Sequence, residues 1–63
     1  MNRWFIFYDD ISKKDVAICL DKILYITKNE KDCEIYDINN NVFSCSSAED
    51  IEDLFDMMST VNI

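Results

Sequence analysis

SSAEDIEDLFDMM, residues 46–58, is where an apolar alternation of two gives way to one of 3.6. At about 100° per residue, Ala48, Ile51, Leu54, Phe55 and Met58 gather on one stripe, with Glu49, Asp50, Glu52, Asp53 and Asp56 opposite. That pattern predicts a helix over about 47–58 that packs on a sheet by its apolar stripe. Ser46 followed three residues later by Glu49 reads as a capping box at its start.

Working back toward the N-terminus, every apolar run alternates as a strand does. VFSC (42–45) and CEIYDI (33–38) flank three consecutive asparagines, Asn39 to Asn41, which predict a hairpin loop. Asparagine enters the left-handed backbone region more readily than other non-glycine residues, and the chain has no glycine. ILYIT predicts a strand over about 23–28, and VAICL one over 16–20. Asp21 and Lys22 between them mark either a turn or a bend within one long strand. RWFIFY gives a first strand over 3–8, apolar on both faces: Trp4, Ile6 and Tyr8 on one, Phe5 and Phe7 on the other. The loop DDISKKD (9–15) reads as a turn with solvated charges, since it lacks the ligand spacing of a calcium loop. Strands first and helix last predict one α+β domain over 1–63, a small antiparallel sheet of three to five strands with the C-terminal amphipathic helix on one face.

The stretch ICLDKILYITKN, followed by a hairpin and then SSAEDIEDLF, resembles the small flagellar FlbD-type proteins, in which strands precede a short, acidic-capped helix. The resemblance covers about half the chain and implies the same element order, with asparagine standing here where those sequences tend to have glycine in the hairpin. It implies no function.

Composition narrows the chemistry. Sixty-three residues make a single small domain, one that buries only about 60% of the surface its unfolded chain exposes. With no histidine, the chain lacks the commonest general base and the usual partner of a serine or cysteine nucleophile, so a non-enzymatic protein is expected. Without glycine there is no phosphate-cradling loop, and no cofactor is expected. Cys19, Cys33 and Cys45 include no CxxC spacing and do not complete a four-ligand zinc site, so they read as small buried hydrophobes and no metal is expected. The apolar run at the N-terminus is shorter than a signal peptide or a membrane span, which predicts a cytoplasmic protein with no membrane partner.

Charge is the unusual feature. All six basic residues lie in the first 31 positions, whereas from Asp32 onward there are eight carboxylates and no basic side chain. Glu49 and Asp50 suit the positive end of the helix dipole; Asp56 does not, and Glu49 with Asp53 and Glu52 with Asp56 repel without an interleaved lysine. Five carboxylates over about 10 Å of helix approach the linear charge density of duplex DNA, about one per 1.7 Å. Three readings compete: a solvated face, a divalent-cation site, and a surface for the basic, nucleic-acid-binding groove of a partner protein. The last makes the chain a nucleic-acid mimic, not a direct nucleic-acid binder, because it has no basic stripe. Its contact residues would be Glu49, Glu52, Asp53 and Asp56, with Met57, at about 240° from Ile51 and so inside the acidic arc, as an apolar contact. In composition the chain resembles the small acidic inhibitors that phages encode, including anti-restriction and anti-CRISPR proteins. Because the first strand is apolar on both faces, the chain is expected to form a homodimer through Trp4, Phe5 and Phe7, and the rival reading is a structural or regulatory adaptor or homo-oligomer that works through this aromatic strand, with acidity serving only solubility.

Overall fold

Residues 3–59 are described by a computed structural model, and the domain expected over 1–63 is followed within those limits. β1 (Trp4–Asp9) and β2 (Lys14–Cys19) form an antiparallel hairpin. A single 3₁₀ turn, Leu20–Lys22, follows, so Asp21 and Lys22 mark a turn and not a bend in one long strand. β3 (Ile23–Lys28), β4 (Cys33–Asp37) and β5 (Val42–Cys45) form an antiparallel meander, and α1 (Ala48–Ser59) closes the described chain. The architecture is α+β, with the five strands divided into sheets of two and three. Among the described residues no helix is long and apolar enough to cross a membrane.

The two sheets meet where β1 runs beside β5, and Asp9 makes the junction. Its carboxylate accepts the Ser44 N–H at 2.8 Å from across the gap, and the Ile11 and Ser12 N–H groups at 3.2 and 3.0 Å from its own turn. Asp10 N–H in turn donates to the Ser44 carbonyl at 2.9 Å. A side chain thus supplies one rung where the backbone of β1 has already turned away. Asp9 is 2% exposed, so the reading of residues 9–15 as a turn of solvated charges fails at this position. Burial raises its pKa, but the three N–H donors and the Ser12 side chain outweigh that and hold the carboxyl below its ordinary value.

Phe5, Phe7, Ile18 and Leu20 from the first sheet and turn, Cys33, Ile35 and Cys45 from the second, and Ile51 and Leu54 from α1 form one core. Phe5 and Phe7 stack with centroids 5.1 Å apart, and Phe43 meets Phe7 edge-on at 6.2 Å. Phe5 and Phe7 are thus interior residues of the single chain and do not offer a dimer contact. The water-facing side of β1 is Trp4, Ile6 and Tyr8, which are 56%, 70% and 46% exposed.

Cys33 and Cys45 are cross-strand partners, and all three cysteines are free and buried. Both backbone groups of Ser44 face β1, which places its neighbour Cys45 in a hydrogen-bonded pair with Cys33. Cβ atoms in such wide pairs lie near 5.5 Å, beyond the roughly 3.5–4.5 Å of a disulfide. Burial and the neighbouring Cys45 thiol push Cys33 up to about 11.

Two backbone positions lie in the left-handed region. Asn40, φ 67°, turns the β4–β5 loop, and Asp37 braces it by accepting the Asn39 and Asn41 N–H groups, each at 2.9 Å. The second is Lys13, φ 64°, in the β1–β2 turn, where a side chain tolerates what a glycine would relieve.

The helix begins one residue later than the capping box at Ser46 implies. Ser47 is the cap: its Oγ accepts the Asp50 N–H at 3.3 Å and its carbonyl the Ile51 N–H at 2.9 Å.

Candidate functional site

Two buried anchors, Ile51 and Leu54, fix the roll of α1. Leu54 is fully buried, and centring it on the sheet draws in Met57 and Met58, which are partly buried against the core. The same rotation, roughly 50° from the stripe read in the sequence, swings Ala48 and Phe55 outward. Phe55 is 39% exposed, and Met57 belongs to the packed face of the helix instead of standing among the carboxylates.

Glu49, Glu52, Asp53 and Asp56 are all exposed on the far side of α1. They do not form a uniform ridge. At about 100° per residue, Glu49, Glu52 and Asp56 stand on the crest, opposite Leu54, and Asp53 lies on the flank away from Phe55; of the four, Glu52 and Asp56 reach the Phe55 side. There the helix flanks a groove of about 390 Å³ whose other wall is the β3–β4 loop, carrying Lys28 and Lys31 with Glu30 between them. The loop is braced, with Asn29 N–H donating to the Asp32 carbonyl at 2.8 Å, Asn29 Nδ2 to Asp32 Oδ1 at 3.0 Å, and Lys28 Nζ to the Asn29 carbonyl at 3.2 Å. Ile51 and Phe55 give the groove an apolar floor. Among the described residues no ion pair joins its two walls.

The sequence offered no signal for this groove, because Lys28 and Lys31 are more than twenty positions from Glu52 and meet it only through the meander. Nor did it flag the pair on the outer face of the second sheet. There Tyr25 and Tyr36 stack at 4.5 Å, and the Tyr36 hydroxyl donates to Glu34 Oε1 at 3.1 Å. That hydrogen bond to a carboxylate raises the Tyr36 pKa. Their register partnership across β3 and β4 brings them together.

A second cleft, of about 300 Å³, lies between the two sheets at the foot of β1, with Trp4, Cys19, Ile23 and Phe43 in its lining. Among the described residues no three histidine, cysteine, aspartate or glutamate side chains converge where a metal ion would be held. The surface therefore offers two kinds of recognition chemistry: negative charge on a rigid helix, and apolar area on the outer side of β1. Comparisons of the chain with protein-family models, with curated proteins and with solved structures return no match.

Proposed function

We propose that the chain is a non-enzymatic interaction module of the cytoplasm, an inhibitor whose acidic helix engages the basic, nucleic-acid-binding surface of a partner protein. The observation that carries this reading is the exposure of Glu49, Glu52, Asp53 and Asp56 on a helix whose roll is fixed by Ile51 and Leu54. A field on a fixed scaffold loses little entropy when it is bound, and it accelerates encounter with a cation-lined groove. Met57 supports the reading from beneath, by holding the helix in place. Kinship in kind with anti-restriction and anti-CRISPR inhibitors is part of the proposal.

Affinity capture of binding proteins tests it, comparing the native chain with one carrying Glu49→Gln, Glu52→Gln, Asp53→Asn and Asp56→Asn. The expected result is a basic partner retained at low salt, released at high salt and lost with the four amides. Retention of the same partner by the amide variant overturns the reading.

A second reading is favoured by the outward side of β1. Trp4, Ile6 and Tyr8 form an apolar row in water of the kind that marks a contact surface. On that reading the chain is an adaptor docking through Trp4 and its neighbours, and Trp4→Ser with Ile6→Ser abolishes partner capture while the four amides do not.

A further inference from the structure

A two-fold interface presses one patch against a copy of itself, so the patch must carry complementary features on either side of its axis. The groove beside α1 has that form. Its loop wall carries Lys28 and Lys31, its helix wall Glu52 and Asp56, and Phe55 lies exposed between them. Rotating a second copy by 180° about an axis through Phe55 sets each cationic wall against the other copy's anionic wall. The apolar ring meets its own equivalent at the centre.

We propose that this groove is the contact of a homodimer, in which Lys28 and Lys31 of each copy pair with Glu52 and Asp56 of the other across a Phe55 centre. Charge complementarity selects a second copy as the occupant, because any other partner would have to reproduce the same reversal of sign over one helix width. Among the described residues no ion pair satisfies these walls, and the hydrogen-bonded loop holds the lysines without spending them on α1. Glu30, between the lysines, reduces the cationic wall by one charge and leaves its sign unchanged. Glu49 and Asp53 remain outside the groove in both copies. The inference does not depend on a foreign basic partner; where one exists, it competes with the second copy for Glu52 and Asp56.

Analytical ultracentrifugation of two charge-reversed chains tests the pairing. One chain carries Lys28→Glu with Lys31→Glu, the other Glu52→Lys with Asp56→Lys. All four positions are exposed, and a lysine at position 56, in the last turn of α1, suits the helix dipole, so both chains are expected to retain the native circular dichroism. The native chain is expected to sediment as a dimer, and each reversed chain alone to have its dimer dissociation constant raised by about tenfold or more. An equimolar mixture of the two restores a dimer containing one of each, because both walls are again matched. A native chain that sediments as a monomer, reversed chains that dimerise undiminished, or a mixture that stays monomeric each overturns the proposal. So does a dimer abolished by Trp4→Ser and Ile6→Ser but indifferent to the reversals, which would move the contact to β1.

Discussion

Replacing Asp9 tests how the two sheets are held together. Its carboxylate serves three backbone donors, and the substitution Asp9→Ala removes all of them at once. The Ser44 N–H is the costly one: it points into the junction between β1 and β5, and a buried donor left without an acceptor costs about 1–3 kcal/mol. The Ile11 and Ser12 N–H groups lie in an exposed turn where water replaces the lost acceptor, so each adds about 0.5–1 kcal/mol. The sum is about 2–5 kcal/mol, set against about 3–9 kcal/mol for the total stability of a chain this size. Asp9→Asn keeps one acceptor oxygen and turns an N–H toward one of the donors, which places its cost at about 1–3 kcal/mol. Urea unfolding followed by circular dichroism measures both. The pH dependence provides a second arm. Because the folded Asp9 carboxyl titrates below its usual 3.8, its contribution is fully present above that value and is lost as pH falls through the folded pKa. Asp37, lowered by its hydrogen bonds to Asn41 and Asn39, acts in the same direction. Asp9→Asn should therefore flatten the acid limb of the stability curve without abolishing it. An Ala variant within about 0.5 kcal/mol of the native chain, or an Asn variant with an unchanged acid limb, would refute the junction argument.

Further expectations concern the turns, the cap and the thiols. Lys13→Gly should stabilise the chain by about 0.5–1 kcal/mol, since relief of the left-handed strain at φ 64° exceeds the extra entropy of the unfolded glycine; a lower urea midpoint would contradict this. Ser47→Ala should cost about 1 kcal/mol and Ser46→Ala almost nothing, and thermal melts of the pair would show the reverse order if the capping box began at Ser46. Cys33 and Cys45 should resist an aromatic disulfide reagent at neutral pH until urea is added, because both are fully buried and the Cys33 thiol sits near 11; rapid modification in the native state would contradict their placement.

The sequence by itself determined the local structure. Two-residue alternation located the strands, with β3 and β5 matching to the residue, and the 3.6-residue period of 46–58 located the helix. The asparagine run foretold a left-handed turn, which falls at Asn40, because that preference belongs to the residue itself. These are short-range effects, written in spacing and side-chain type. Tertiary structure decided which side of an ambiguous element faces inward. β1 is apolar on both faces, so periodicity could not say that Phe5 and Phe7 are interior while Trp4, Ile6 and Tyr8 meet water; the sheet partners and α1 made that choice. The roll of α1 was open for the same reason: Phe55 and Met57 flank the Ile51–Leu54 pair about equally, and only the surface beneath selects between them. Asp9 and the lysines opposite Glu52 are the furthest from legibility, since a carboxylate in a turn looks the same whether it faces solvent or bridges to a strand 35 residues away.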